Sequence, residues 1–313
     1  MLTQDQLEMR KSGIGGSEIA AICGLNRYKS ALAVYMDKTG QAETVDENPA
    51  MEWGTRLEAV IAAKYAEAHS VIVERPEKTF RNSDHDFMLA TPDGIVKPYR
   101  DMPPTRGLEV KTAGLRSAHL WGEDGDAVPE QYLVQCAWYM PTLDVDRWDL
   151  AALIGGQDYR EYKIMRDAEL ETRLIELGEN FWTKNVLKRI PPEPDASESA
   201  KKAIGELYKD HGPDLIQANA EAQEWAFKLK DAKERMDAAK GETDEAQNHL
   251  KHIIAENAGL EGAFGRITWK RSKDTEKVDW ESVARALNAP GDVIKRNRSA
   301  KPGSRRFLTK WTK

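Results

Sequence analysis

The sequence predicts an α/β (α+β) fold, a mixed central sheet flanked by helices, with a helical and small β appendage at the C-terminal end. Three observations carry this reading. Segments of helical and strand period intermingle over residues 1–190. A Pro/Ser/acid stretch, IPPEPDASES, follows at 190–199. Beyond it lies a long run rich in Ala, Glu, Lys and Gln. The expected organisation is one α/β domain over 1–190, a linker over 191–200, and a helical hairpin with a basic α/β segment over 201–313.

The elements are expected in this order. Ser17 is a helix N-cap ahead of Ile19-Ala20-Ala21-Ile22, with Gly24 ending that helix. A second helix covers about 30–39 and stops at Gly40, and 41–50 is a polar loop. Trp53, Leu57, Val60, Ile61, Tyr65 and Ala68 recur at helical spacing, so 52–69 is an amphipathic helix. Residues 70–75 and 87–90 read as strands, and Thr91-Pro92-Asp93-Gly94 turns the chain into a strand around Ile95-Val96. Another strand covers 107–112. Pro129 fits the first position of an apolar helix over 129–140. A hairpin is expected over 146–165 around Gly155-Gly156, then a long helix over 167–189.

In the C-terminal part, 216–256 predicts one or two long helices, broken at Gly241. Their thin apolar stripe suits a helical hairpin or a coiled coil packing on something else. Residues 263–271 and 305–311 read as strands with a helix over 279–288 between them. No internal repeat is evident.

With 40% hydrophobic residues among 313, the chain has material for a true core. No apolar run approaches the roughly 18–20 residues of a membrane span, and the N-terminus does not read as a signal peptide. Cys23 and Cys136, far apart, read as buried free thiols in a reducing compartment. The net charge of −6 at first argues against a polyanion partner. Its distribution reverses that: residues 1–200 carry 23 Lys and Arg against 34 Asp and Glu, but 262–313 carry 14 against 5. A basic segment of this kind favours polyanion binding.

One group of residues points to chemistry. Asp93 stands at a turn, and Glu109 and Lys111 lie two apart on one strand, hence on one face. Two convergent carboxylates can hold a hard cation. Such a cation polarises a phosphodiester and acidifies its water, and a lysine can orient that water or stabilise charge developing on phosphorus. The spacing alone is loose, and ordinary surface charges fit it too. Glu58 beside the apolar stripe of helix 52–69 and Gln135 inside the apolar helix are polar groups that want partners. Each also has a plain reading, as a helix-edge glutamate and a buried amide.

Five stretches in order carry a resemblance: RKSGIGGSEIAAICGLNRYKSALAVYMDKTG at 10–40, MEWGTRLEAVIAAKYAE at 51–67, FMLATPDGIV at 87–96, GLEVKT at 107–112 and VPEQYLVQCAWYM at 128–140. Together they resemble the YqaJ-like viral recombinases, or phage lambda-type exonucleases, over roughly residues 10–165. The resemblance implies a restriction-endonuclease-like core and a 5′→3′ exonuclease acting on double-stranded DNA ends in phage-type recombination. It implies metal binding by Asp93, Glu109, the Val110 carbonyl and Glu58, with Mg²⁺ as cofactor and Mn²⁺ as a substitute. Lys111 matches the catalytic lysine and Gln135 the glutamine of the last motif. Arg10 and Ser17 match the pair that holds a 5′-phosphate. A trimeric homo-oligomer, a single-strand annealing partner and a phage or prophage protein in the bacterial cytoplasm are implied as well. The C-terminal part matches none of these motifs. Lys270, Arg271, Arg305 and Arg306, with Arg266, Arg296, Arg298, Trp269 and Trp311 nearby, read either as a DNA-contacting surface or as a solvated basic face. An endonuclease of the same core and a non-catalytic DNA-binding scaffold are the alternatives.

Overall fold

The strand Arg147–Ile154 places Trp148, Leu150, Ala152 and Ile154 in one apolar cluster and Ala151 in another. That period of two is what a sheet covered on both faces demands. In the computed structural model, which describes residues 8–42, 48–123, 125, 127–274 and 278–297, this strand lies inside a five-stranded mixed sheet.

The chain forms two compact units, one up to Asp210 and one over His211–Ser304. In the first, helices α1 (Gly16–Ile22), α2 (Ala31–Lys38) and α3 (Pro49–His69) precede strands β1 (Ile72–Glu74), β2 (Phe80–Arg81), β3 (Leu89–Ala90), β4 (Gly94–Lys97) and β5 (Arg106–Ala113). Helix α4 (Glu130–Leu143), strands β6 (Arg147–Ile154) and β7 (Asp158–Met165), and helices α5 (Ala168–Phe181) and α6 (Glu198–Leu207) follow. The sheet order is β1-β4-β5-β6-β7, antiparallel throughout except for the parallel pair β5–β6. Helix α3 covers one face with Ile61 and Tyr65, against Val96, Leu108, Val110 and Ala151. Helix α4 covers the other, with α1 and α5 packed against it.

Close approach explains one glycine. A Cβ on Gly107 would lie 2.3 Å from the ring of Trp148, a fully buried side chain on the neighbouring strand. Gly107→Ala is expected to destabilise the unit by about 1–3 kcal/mol, the usual cost of overpacking. A lower urea midpoint with unchanged slope would report it.

The β6–β7 hairpin turns at Gly155 and Gly156, whose φ values of 61° and 83° suit glycine. Other expectations need correction. Ser17 is not a cap: Gly15 caps α1, and Ser17 lies within the helix, half-buried. The strand in FMLA, β3, pairs with β2 in a ribbon separate from the five-stranded sheet, a pairing the sequence does not indicate. On α3, Trp53 and Val60 are exposed, because the side that meets the sheet carries Leu57, Ile61, Ala62 and Tyr65 instead. Pro129 is the N-cap of α4, one position outside the helix. The predicted helix 167–189 ends as α-helix at Phe181 and continues as a π-helical turn over Trp182–Leu187. The Pro/Ser/acid stretch 190–199 lies inside the first unit, because α6 beyond it packs on α2.

The second unit holds α7 (Ala220–Ile254), the hairpin β8 (Gly259–Gly262) and β9 (Gly265–Thr268), and the short helices α8 (Trp280–Ala286) and α9 (Gly291–Arg296). Helix α7 runs 35 residues without a break at Gly241, so it is one rod and not a helical hairpin. The predicted strand 305–311 lies outside the described residues. Cys23 and Cys136 are free thiols. No helix among the described residues is long and apolar enough to cross a membrane.

Candidate active site

Strand β4 is short. It pairs with β5 only through Arg106, Gly107 and Leu108, so from Glu109 onward β5 has β6 on one side and no strand on the other. Asp93, at the turn leading into β4, fills that gap: its Oδ2 accepts the Val110 N–H at 2.8 Å. A carboxylate thus takes the place of a missing ladder partner. A strand residue directs its N–H and C=O toward the same edge, so the Val110 carbonyl faces the same gap.

Glu109 and Lys111 project from the face of β5 opposite the buried Leu108 and Val110. Glu109 is only 2% exposed. Its Oε1 accepts Gln135 Nε2 at 2.6 Å and Lys111 Nζ at 2.5 Å. Its Oε2 is buried and has no hydrogen-bond donor among the described residues. Burial, and then the neighbouring Asp93 charge, push the Glu109 carboxyl up to about 8. Burial alone would lower Lys111, but Glu109 and Asp93 beside it raise it above the ordinary lysine value. The Lys111 ammonium also lies 5.0 Å from the centre of the Tyr132 ring. Gln135 belongs to the buried stretch of α4, and that helix aims it at Glu109.

Glu58 on α3 lines the same cleft, with its Oε2 accepting Arg75 Nη2 at 2.9 Å. Burial and the Asp93 charge raise the Glu58 carboxyl above its ordinary range. An acidic group held up by burial and a like charge, beside a buried carboxylate oxygen without a donor, is a donor set that a divalent cation would relieve. Among the described residues no three His, Cys or carboxylate side chains converge closely enough to enclose a metal by themselves. The fitting arrangement is therefore an open one: two carboxylates and a carbonyl, with water or substrate oxygens completing the shell.

Arg10 and Ser17 line this cleft together with Asp93, Glu109, Lys111, Gln135 and Glu58. Among the predicted site residues of the first unit, only Val110 does not line the cleft; its backbone N–H is held by Asp93 beside it. Lys270 and Arg271 lie in the second unit and are exposed, Arg271 reaching Asp274 at 3.1 Å. Arg298, Arg305, Arg306 and Trp311 lie outside the described residues.

Three residues escaped the sequence reading. Glu18, 1% exposed, meets Lys38 at 2.7 Å and Arg10 at 3.7 Å, and accepts the Gly15 N–H at 2.8 Å. Burial would raise its carboxyl, but Lys38, Arg10 and Lys29 hold it below the ordinary carboxylate range. Lys38 also donates to the Arg10 carbonyl. Glu18 and Lys38 therefore fix where Arg10 stands. Arg75 is the third. The one available signal was Glu18 itself, a carboxylate leading into the buried run Ile19-Ala20-Ala21.

Residues 5–145 match the family model of the YqaJ-like viral recombinase domain. The chain is 29% identical over 300 residues, 90% of its length and 91% of the relative's, to the uncharacterized protein YqaJ of Bacillus subtilis strain 168. An uncharacterized protein of Acanthamoeba polyphaga mimivirus is 24% identical over 153 residues, 47% of this chain and 28% of that one. Among solved structures it is similar to LHK-Exo in complex with dAMP, at TM-score 0.49 and 20% identity over 60% of this chain and 97% of that one. The phage related exonuclease of Haemophilus somnus matches at TM-score 0.42 and 13% identity over 57% of this chain and 96% of that one.

Proposed function

Because residues 5–145 are a YqaJ-like viral recombinase domain, we propose that this chain is a divalent-metal-dependent exonuclease that digests one strand of duplex DNA from a 5′ end. Its product would be a 3′ single-stranded tail for recombination. The observation that carries the reading is the cleft itself: a carboxylate pair with a buried, donorless oxygen shares it with a guanidinium and a hydroxyl. Its macromolecular partners would be double-stranded DNA ends and a single-strand annealing protein.

Asp93, Glu109 and the Val110 carbonyl would hold Mg²⁺ or Mn²⁺, with Glu58, which lines the same cleft, serving a second ion. The cation supplies Lewis-acid polarisation of the scissile phosphate and a water of lowered pKa. Gln135 and Lys111 both engage Glu109 Oε1, which keeps the carboxylate oriented and leaves Oε2 for the cation. Lys111 carries a firmly held positive charge into the cleft, suited to stabilising negative charge on phosphorus. Arg10, set by Glu18, and Ser17 supply donors for the terminal 5′-phosphate, and Arg fits a phosphate in bidentate fashion.

The test is digestion of linear duplex labelled at either end, with 5′-phosphate or 5′-hydroxyl termini, with Mg²⁺ or with EDTA. Loss of the 5′ label first, only with metal, and faster on phosphorylated ends is the expected result. Arg10→Ala is expected to erase the preference for phosphorylated ends, about tenfold or more for one charge-assisted contact of 1.5–3 kcal/mol. Nicking of closed circles at the same rate would instead indicate an endonuclease.

A further inference from the structure

The long helix of the second unit carries a seam that nothing above employs. Ala222, Trp225, Leu229, Ala232, Met236, Ala239, Thr243, Ala246, Leu250 and Ile253 follow one another at strictly alternating steps of three and four residues. This is an a/d heptad sustained along the helix, beyond the three or four heptads that specify a coiled coil. The flanking positions are mostly charged or amide side chains. Only Leu229 and Leu250 of the seam are partly covered, whereas Trp225 is 61%, Met236 63% and Ile253 63% exposed. A helix gains its stability mainly by packing such a face, so a seam of this length calls for a partner.

We propose that the partner is the same helix of a second copy of the chain, lying antiparallel. Set antiparallel about a two-fold axis between Met236 and Ala239, every a position meets a d position of the other copy. The layers become Ala222 with Ile253, Trp225 with Leu250, Leu229 with Ala246, Ala232 with Thr243, and Met236 with Ala239. All layers except Trp225–Leu250 set a small residue on one side, so the two helices approach evenly. A parallel pair would instead stack Trp225 on Trp225 beside Ala222 on Ala222, alternating layers too wide and too narrow to share one spacing.

Charge favours the same choice. Antiparallel pairing brings g-position residues together, so Arg235 of each copy faces Glu242 of the other. The other flank sets Lys233 against Lys240, a like-charge cost that water and salt screen. Parallel pairing would set Lys228 against Lys233 and Arg235 against Lys240, with repulsion at each central flank and no opposite pair to offset it. The inference is independent of the proposed nuclease activity. Its consequence is that each assembly joins two nuclease units.

Two measurements on the full-length chain test it. Light scattering at micromolar concentration is expected to give the wild type at least twice the mass of Met236→Glu. In a Cys23→Ser background, chains carrying Leu229→Cys and chains carrying Ala246→Cys are mixed and treated with a short bis-maleimide. Mass spectrometry should find the 229–246 link in the mixture. Each variant alone should give no dimer, because like positions would lie about 25 Å apart along the axis. Links between identical positions would overturn the antiparallel register. Equal masses for wild type and Met236→Glu would overturn self-association and leave the seam to a different protein.

Discussion

Glu109→Gln is expected to lower metal-dependent cleavage by about 10³-fold or more while raising the thermal stability of the metal-free protein. The loss follows from removing a carboxylate charge at the proposed metal position, where a metal's contribution would be worth several kcal/mol. The gain follows from the state of the carboxyl. In the fold it is pushed up to about 8, against an ordinary value of 4.5. A carboxyl raised on folding favours the folded protein when protonated. That stabilisation is complete below about pH 4.5 and is lost as pH rises through about 8. Metal-free wild type should therefore melt at progressively lower temperature between pH 5 and 8.5, relative to a glutamine variant that lacks the titration. Added Mg²⁺ should restore the wild type at pH 8 by binding only the folded state, and should do little for the variant. Parallel pH profiles for the two proteins without metal would refute this account of the site.

Asp149→Ala is the second large effect. Asp149, 2% exposed on β6, accepts Arg106 Nε at 2.8 Å, Arg147 Nε at 2.6 Å and the Tyr65 hydroxyl. Removing one member of such a buried group leaves guanidinium charge without its counter-ion, at a cost of 3–5 kcal/mol in fully buried cases. Arg106 and Arg147 keep 15% and 29% of their side-chain surface in solvent, so a loss of about 3 kcal/mol is expected. Urea unfolding measures it. Asp149 belongs to the face under α3 and lies outside the cleft, so cleavage well below the melting temperature should stay near wild type. A stability change within 0.5 kcal/mol, typical of an ordinary surface substitution, would contradict the role given to this cluster.

The contrast between these two groups shows what a sequence discloses. The Glu109–Lys111 pair was legible because its relation is local, two positions on one face of one strand; Asp93, at a turn ahead of another strand, joined them firmly only through the family resemblance. Gln135 was legible because an amide inside an apolar helix is conspicuous. The contacts Arg75–Glu58, Lys38–Glu18 and Arg106–Asp149 join residues on different elements, and no periodicity announces them. The same limit governs strand pairing. Thr91-Pro92-Asp93-Gly94 tells that the chain turns, not that β3 leaves the main sheet to pair with β2. On α3 the helical stripe is genuine, and Ile61 and Tyr65 are buried on the sheet with Leu57 and Ala62 packed at their edge, but Trp53 and Val60 lie beyond that contact and face solvent. Ser17 precedes an apolar run and so has the pattern of a cap, but Gly15 takes that place and leaves the Ser17 hydroxyl to the cleft.

One feature of β5 bears on how the molecule breathes. The strand that presents Glu109 and Lys111 is the middle strand of the five, bonded along its length to β6. The amides of this strand that bond to β6 exchange with solvent only when the whole unit opens, whereas helix ends and exposed loops exchange through local fraying. In deuterium exchange, the peptide over 107–113 is therefore expected to be among the last labelled. The proposed catalytic residues Glu109 and Lys111 then sit in the slowest-opening part of the protein, and heat inactivation should coincide with global melting without preceding it.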